Sequence, residues 1–153
     1  MLEAPIQLTN GMKVRVDIQD FAYLSKFSWS VSKEGNKFYA QKYGIGKMHR
    51  FILGLPRGDK RVVDHINGDG LDNRRSNLRL CTRGQNLMNK KPNRKGSSAF
   101  KGVSKRRDKF VTKIRLGGKD FHIGTFTSEV EAAKAYDHKA RELFGEFAWC
   151  NFV

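Results

Sequence analysis

The sequence predicts an α+β protein built from two small modules. Residues 6–43 hold short strand-like runs separated by Asn-Gly and Gly-Asn pairs, which are hairpin signals. Residues 61–86 follow the order strand, polar loop, strand and helix. Residues 100–145 hold strand-like runs followed by one long helical pattern. A length of 153 residues suits one ordinary domain or two small ones, and the patterns favour two.

The N-terminal strands predict a small antiparallel sheet. Apolar residues alternate or cluster in residues 6–8, 13–17, 29–31 and 38–43, as expected for strands with one buried face. The aromatic and aliphatic residues between these runs are expected to form its core rather than a base-stacking surface: Phe21, Tyr23, Leu24, Phe27 and Trp29.

A short helix over residues 48–56 is predicted next, because Gly54 and Pro56 end the run. Strands follow at 61–64 and 78–81. Thr82 with Gln85 three places later forms a capping box, which predicts a helix after Thr82. The order is that of a ββα unit.

The side chains of this unit that could bind a metal or transfer a proton lie near the ends of its elements. Asp64 ends the first strand and Asn86 lies in the first turn of the helix, so both can face one point if the hairpin packs on the helix. Carboxylate and amide oxygens suit Mg²⁺ or Mn²⁺. The imidazole of His65 titrates near neutral pH and can accept a proton from water. On spacing alone, a turn with a capped histidine is the favoured interpretation, and catalysis is the alternative.

Residues 92–97 predict a basic linker between two domains, 1–91 and 98–153. The stretch from Asn89 to Ser98 has no apolar residue and contains Pro, Gly and Ser. Two interpretations stay open: a solvated tether, or a segment along a phosphate backbone, where each cation displaces counterions. In the second, the contacts come from Lys90, Lys91, Arg94 and Lys95.

The C-terminal domain predicts a three-stranded antiparallel sheet covered on one face by a helix. Strands are expected at 100–103, 110–116 and 120–126, and Ser128 with Glu131 forms a capping box before a helical pattern that ends at Gly145. The acidic residues of that helix are expected on its outer side.

The uncovered sheet face is predicted to be basic. Lys113, Arg115 and His122 point away from the helix, and Lys101, Lys105 and Arg106 lie on the first strand or turn. A sheet presenting such a row can enter a major groove, where arginine reads guanine. A solvated face is the alternative.

The charge of +15 favours a polyanionic partner. Residues 1–80 hold 14 basic and 8 acidic groups, residues 81–120 hold 13 and 2, and residues 121–153 hold 3 and 5. No apolar run reaches the roughly 18 residues of a membrane span, the N-terminus lacks a signal-peptide pattern, and Cys81 and Cys150 form no CxxC pair. We expect a soluble cytoplasmic protein that binds double-stranded DNA and no membrane.

The run Val-Asp-His-Ile-Asn-Gly-Asp at 63–69, with its partners at 72–74, 77–79 and 85–86, resembles the HNH (His-Me finger) motif of phage and intron-encoded homing endonucleases. The resemblance covers residues 5–91. It implies a ββα-metal fold in which His65 is the general base, Asp64 and Asn86 hold a divalent metal, and Asn77 fixes the loop and orients the histidine. Asn86 stands where the type pattern has His. His49 lies outside the motif and is expected to pack or to contact phosphate. Arginines expected at phosphates are Arg50, Arg74, Arg75, Arg79 and Arg83.

Residues 98–153 resemble the AP2 DNA-binding domain. The resemblance rests on Phe-Lys-Gly-Val at 100–103, His-Ile-Gly-Thr-Phe at 122–126 and Glu-Ala-Ala-Lys-Ala-Tyr-Asp at 131–137. It implies that Arg115 contacts bases and that Lys101 contacts DNA. His122 stands where the family often has Trp, and the turn at 104–109 is one residue short.

Together these features predict a site-recognising, metal-dependent DNA endonuclease from a phage or mobile element, acting in the host cell. A monomer that cuts one strand per encounter is expected, with a dimer as the alternative. A DNA-binding regulator with an inactive HNH scaffold is the second hypothesis. An RNA-binding protein is disfavoured, because the exposed sheet face is poor in stacking aromatics.

Overall fold

A computed structural model describes residues 2–91 and 96–152 of the chain. The protein is a mixed α+β structure with four small antiparallel sheets in the described residues. Its contacts divide it into two compact units, residues 1–83 and residues 84–153. The predicted linker at 92–97 falls largely on residues outside the described ranges, so the predicted domain boundaries stay predictions.

The first unit opens with a hairpin of β1 (Glu3–Gln7) and β2 (Lys13–Asp17). The predicted turn is present at Asn10-Gly11: the Asn10 side chain accepts a hydrogen bond from the Met12 amide, and Gly11 has φ +85°. Positive φ is strained for residues with a Cβ. This turn chemistry explains why the hairpin could be predicted from sequence.

A helix, α1 (Ile18–Leu24), follows where the sequence predicted only sheet core. This seven-residue segment mixes apolar residues with Gln19 and Asp20, and it is too short for its period to decide between a helix and a strand. Leu24 and Trp29 are fully buried, and the Trp29 indole N–H donates to the Leu24 carbonyl at 2.9 Å. Tyr23 was expected in the core but is 54% exposed, and its ring stacks on that of Phe51.

The remaining N-terminal strands form a separate sheet. It contains β3 (Ser30–Glu34), β4 (Lys37–Lys42) and the short β5 (Gly46–Lys47) in that order. The prediction of one sheet was therefore wrong, since β1 and β2 pair with each other and with no other strand among the described residues. An isolated bridge joins Arg15 of β2 to Asp72. Helix α2 (Met48–Ile52) comes directly after β5 and buries Met48 in the core.

The last elements of the first unit are the strands of a second hairpin. β6 (Val62–His65) pairs with β7 (Leu78–Cys81), and a 3-10 turn at Arg75–Asn77 precedes β7. Helix α3 (Arg83–Met88) begins one residue after Thr82, as the capping box predicted. All three elements of the predicted ββα unit exist in order, and the packing of α3 on the hairpin stays a prediction.

The second unit holds a three-stranded antiparallel sheet, with β9 (Lys109–Leu116) between β8 (Val103–Arg106) and β10 (Lys119–Phe126). Helix α4 (Glu129–Phe144) packs on it. The Ser128 hydroxyl accepts a hydrogen bond from the Glu131 amide, which confirms the predicted cap. The first strand was predicted too early, at 100–103, because its Phe-Lys-Gly-Val segment is a turn that ends at β8.

Gly102 shows why that segment turns. Its φ is +77°, and a Cβ added there would lie 2.0 Å from the Tyr136 ring. Only glycine permits both the backbone angle and this close approach.

The outer face of α4 differs from the prediction at one acidic residue. Asp137 is buried, because its carboxylate accepts hydrogen bonds from the Asn151 and Phe152 amides and from the Asn151 side chain. The carboxylate thus holds the C-terminal segment against the helix. Within the described ranges, no helix is both long and apolar enough to cross a membrane.

Candidate functional site

The hairpin β6–β7 places the predicted catalytic pair at one end of a strand. Asp64 and His65 are the last residues of β6, and their cross-strand partners are Arg79 and Leu78. Both predicted site residues are buried, with exposed fractions of 3% and 5%. Polar side chains so deeply buried need internal partners, and the loop between the strands supplies several.

Asp72 anchors this loop, residues 66–77. Its side chain is fully buried and accepts hydrogen bonds from the Arg74 guanidinium at 2.8 and 2.7 Å and from the Asn67 amide at 2.8 Å. Arg15, from β2, lies 3.0 Å away. Burial alone would raise the pKa of Asp72, but the hydrogen bonds and charges of Arg74 and Arg15 outweigh it and lower that pKa. The carboxylate is therefore ionised and clamps the loop to the sheet.

Asn77 braces the same loop from the inside. Its side-chain oxygen accepts a hydrogen bond from the backbone amide of Asn67 at 3.0 Å. Its NH₂ donates to the side-chain oxygen of Asn67 at 3.1 Å and to the Asp72 carbonyl at 2.7 Å. These are the bonds that a loop-fixing asparagine would make. The loop that follows His65 is thus held by three hydrogen bonds of one side chain.

The hydrogen bond that orients His65 comes from another residue. His65 Nε2 lies 2.9 Å from the side-chain oxygen of Asn73, whose NH₂ points to the Met48 sulfur at 3.6 Å. Burial lowers the pKa of His65 below its ordinary value, although the bond to Asn73 counteracts this. The ring is therefore neutral at neutral pH. The role of Asn73 was missed in the sequence, where it is one of many Asn and Asp residues in a turn-rich loop.

Two aromatic side chains pack against His65. The His49 ring meets the His65 ring edge to face at 4.9 Å between centroids, and the Tyr39 ring lies 5.9 Å from it. His49 is 5% exposed, and its Nδ1 has no hydrogen-bond partner among the described residues. Burial, with the nearby His65, Lys47 and Arg50, lowers the pKa of His49 to about 3. Of the two roles expected for His49, packing is the one that the structure contains.

Asp64 pairs with the arginine directly across the hairpin. Arg79 Nε and Nη2 lie 3.0 and 2.7 Å from Asp64 Oδ2, and the two side chains are 11% and 3% exposed. The pair follows from the strand register, because directly opposed residues project on the same face of an antiparallel ladder. The predicted metal ligand therefore already has a cation of this chain beside it.

The donors present fit a magnesium-like ion better than zinc. Among the described residues, no group of three or more His, Cys, Asp and Glu side chains could hold a metal ion, so a cage made of protein ligands is missing there. One buried carboxylate such as Asp64 suits Mg²⁺ or Mn²⁺, which keep waters and accept phosphate oxygens at their other positions. Asn86, the second predicted ligand, lies in α3, which groups with the second unit, and its pairing with Asp64 stays a prediction.

Several arginines expected at phosphates bind oxygens of the chain itself. Arg50 donates to the carbonyls of Asp59 and Arg61 and braces the loop before β6. Arg75 binds the Asp20 carboxylate with two hydrogen bonds of 2.8 Å. Arg74 and Arg79 have the acidic partners described above, and Arg83 is exposed at the start of α3. Phosphate contacts by these residues stay predictions.

The open face of the second unit carries the basic row that alternation predicted. Lys113 and Arg115 of β9 are exposed, whereas Thr112 and Ile114 between and beside them are buried under α4. His122 is the exposed cross-strand partner of Lys113. A bulge in β10 between residues 122 and 124 interrupts the register just beyond this pair.

The basic residues of β8 divide between the two faces. Arg106 pairs with Lys109, which lies on the face that carries Lys113, four residues before it in β9. Lys105 pairs with Phe110 and so shares the face of buried Val103, although its own side chain is exposed at the strand end. Arg106 is therefore the better placed of the two to extend the open face.

Lys101 is engaged inside the second unit. Its ammonium donates to the Met88 carbonyl at the end of α3 and lies 5.7 Å from the centre of the Trp149 ring. Burial lowers the pKa of Lys101 to about 8, although Cys150 and Asp137 act in the opposite sense. Its predicted contact with DNA stays a prediction, as do those of the linker, where Lys90 and Lys91 are exposed and Arg94 and Lys95 fall outside the described residues.

Comparisons with known proteins give one family match and two relatives. Residues 47–88, which contain the hairpin and its loop, match the profile of a family described as HNH endonuclease. Over 145 residues, 90% of this chain, the sequence is 38% identical to an uncharacterized HNH endonuclease of Acanthamoeba polyphaga mimivirus and covers 74% of that protein. A 59-residue stretch, 37% of the chain, is 42% identical to dehydration-responsive element-binding protein 2C of Arabidopsis thaliana and covers 17% of it.

Proposed function

Because the chain belongs to the HNH endonuclease family, whose members hydrolyse DNA, we propose that it is a site-recognising, homing-type endonuclease that needs Mg²⁺ or Mn²⁺. The observation that carries this proposal is the adjacent pair of Asp64 and His65 at the end of β6. Both are buried and braced by a loop of internally bonded side chains. A scaffold that only binds DNA has no need of this pair.

His65 acts as the general base. If its Nε2–H donates to the Asn73 oxygen, the neutral ring carries its lone pair on Nδ1. The pKa of His65, lowered by burial, keeps this lone pair available at neutral pH. Nδ1 takes a proton from a water molecule, and the resulting hydroxide attacks the phosphorus in line with the leaving 3′-oxygen.

Asp64 and Asn86 would hold the divalent metal. When bound, such an ion would supply stabilisation of the charge on the scissile phosphate and on the leaving oxygen. The protein contributes position: Asn77 and Asp72 hold the loop, and Asn73 holds the base, so that the reacting groups keep their geometry without reorganisation. One such site cuts one strand, so a monomer is expected to nick DNA.

The second unit supplies site recognition as an AP2-like reader. The exposed row of Lys113, Arg115 and Arg106 supports this role, because a basic sheet face can enter the major groove. The 42% identity over 59 residues to a plant protein named as binding the dehydration-responsive element also supports it. His122 stands where AP2 domains often have Trp, so the target sequence of those domains is not carried over to this chain.

A plasmid-nicking assay tests the proposal. Supercoiled plasmid is incubated with the full chain in Mg²⁺, in Mn²⁺ and in EDTA, and the nicked form is quantified. We expect metal-dependent nicking that falls by roughly 10²- to 10⁴-fold in His65→Ala, the usual contribution of a general base. His138→Ala, which removes an exposed histidine of α4, is the matched control and should nick normally.

Two results would contradict the nuclease assignment. The first is the absence of metal-dependent nicking on any plasmid, and the second is equal nicking by the wild-type chain and His65→Ala. Retained DNA binding without nicking would instead favour the DNA-binding regulator.

A further inference from the structure

The ion pair between Asp64 and Arg79 puts a cation of this chain on the carboxylate that the proposed function gives to the metal. Nε and Nη2 of Arg79 both donate to Oδ2, at 3.0 and 2.7 Å. The guanidinium is only 11% exposed, so water screens its charge poorly. The Asp64 carboxylate can therefore pair with either of two cations: the Arg79 guanidinium of the chain itself, or a divalent metal ion from solution.

The two cations oppose each other. A divalent ion bound at Asp64 would stand within a few ångströms of the guanidinium, and like charges repel strongly where solvent is excluded. The coupling is reciprocal: the factor by which the Arg79–Asp64 pair weakens metal binding is the factor by which bound metal weakens the pair. The geometry therefore predicts an antagonism that can be measured.

We propose that Arg79 is the resident cation of Asp64, and that metal binding displaces its guanidinium toward the phosphate of the bound DNA. The inference rests on the proposed function, because it takes Asp64 as the metal ligand. Arg79 lies directly across the hairpin from Asp64, and its planar fork matches a phosphate as well as a carboxylate. Arg79 is thus a positioning residue that neutralises the site before the metal arrives and contacts the substrate afterwards.

Mn²⁺ binding to the full chain tests this exchange without any cleavage. Titrations followed by calorimetry or electron paramagnetic resonance compare the wild-type chain with Arg79→Gln, Arg79→Lys and Asp64→Asn. We expect Arg79→Gln to bind Mn²⁺ about 5- to 150-fold more tightly, the usual range for coupled equilibria. Arg79→Lys keeps a cation and should stay much closer to wild type. Asp64→Asn should lose the site.

Arg61→Gln is the matched control. It removes one positive charge and one Arg–Asp pair in the same unit, because Arg61 binds the Asp59 carboxylate at 2.6 Å. Its Mn²⁺ affinity should change by less than about twofold if only a distant charge is lost. Weaker or unchanged Mn²⁺ binding by Arg79→Gln would overturn the inference and leave the nuclease proposal intact. Absence of Asp64-dependent binding in the wild-type chain would overturn the metal centre itself, and the inference with it.

A measurement on the wild-type chain covers the case in which Arg79→Gln does not fold. The Arg79 Nε–H donates to Asp64, so in EDTA this proton should exchange slowly with water, as observed by nitrogen-15 NMR. Addition of diamagnetic Mg²⁺ should shift the Nε signal and speed the exchange of its proton. A signal that stays protected at saturating Mg²⁺ would show that the guanidinium keeps its place, and would overturn the inference.

Discussion

The two units use the same basic residue types in opposite ways. In the first unit, Arg74 and Arg75 bind Asp72 and Asp20 with pairs of short hydrogen bonds. In the second unit, Lys113 and its neighbours on the open sheet face are exposed. Composition cannot separate these two uses, since Arg and Lys are abundant in both.

The difference teaches where positive charge builds structure and where it is available to a partner. An ion pair with a fully buried carboxylate holds a loop, because separating the partners would leave a charge without compensation. An exposed pair such as Arg115 and Asp120, 3.4 Å apart, contributes little to stability. In the first unit, Arg15 and Arg74 therefore stabilise the loop at 66–77, whereas the open sheet face of the second unit keeps Lys113 accessible.

The largest expected effect comes from removing the buried charge of Asp72 in the first unit. Asp72→Asn keeps the shape of the side chain but removes the charge that Arg15 and Arg74 face. We expect the first unit to lose about 2 kcal/mol of unfolding free energy, the scale of a hydrogen bond to a charged group. The Arg15 and Arg74 side chains are 43% and 32% exposed, so water can solvate them after the change. Urea unfolding followed by Trp29 fluorescence measures this, in a Trp149→Phe background that removes the tryptophan of the second unit.

Asp120→Asn is the control for that prediction. It removes the carboxylate of the exposed pair with Arg115, and its unfolding free energy should stay within about 0.5 kcal/mol of wild type, as for most surface substitutions. Far-UV circular dichroism follows the second unit in this variant, because the 16-residue α4 is the longest helix among the described residues. Equal losses in the two variants would contradict the distinction between buried and accessible charge.

The linker gives the next largest effect. Replacing Lys90, Lys91, Arg94 and Lys95 by Gln should lower the slope of log affinity against log salt by up to about 3.6, since each phosphate contact adds about 0.9. Fluorescence anisotropy with a random-sequence duplex in EDTA measures the slope without cleavage. An unchanged slope would mean that these residues form a solvated tether.

The open sheet face should give about half of that effect. Lys113→Gln with Arg115→Gln is expected to lower the same slope by about 1.8. Lys134→Gln with Arg141→Gln is the matched control, because it removes two exposed cations from α4, which covers the opposite face. If both double variants lower the slope equally, net charge and not the sheet face accounts for binding.

Much of the fold was predictable because its signals are local. The Asn10-Gly11 turn, the alternation in β9 and the Ser128 cap each lie within a few residues, and each appears in the structure. Asp64 and His65 were proposed in the same way, since they lie in a compact motif, and their role stays a prediction. Helix α1 was missed because a segment of seven residues is too short to have a decisive period.

The partners of the site were harder to predict because they come from distant parts of the chain. Asn73 and His49 meet His65 from 8 residues after it and 16 residues before it. The spacing of polar residues gives no sign of which asparagine faces the histidine. The same holds for Arg79, whose pairing with Asp64 depends on the register of the hairpin.

The smallest effect concerns His49, which packs on His65. Because burial lowers its pKa from 6.5 to about 3, the folded protein keeps His49 neutral at pH values where the unfolded chain protonates it. The contribution of His49 to the unfolding free energy is therefore fully present above pH 6.5 and is lost as the pH falls toward 3. This one group adds a slope of at most about 1.4 kcal/mol per pH unit.

His49→Phe tests this slope, because it keeps a ring against His65 and removes the titration. Its unfolding free energy, measured by urea and Trp29 fluorescence at pH 7, 6 and 5, should fall less steeply than that of the wild-type chain. His65 remains in both proteins, and because His65 also lowers the pKa of His49, the difference in slope reports the titration of His49 together with this coupling. Parallel curves would mean that His49 is protonated alike in the folded and unfolded states, and that its ring is more accessible to water than its burial indicates.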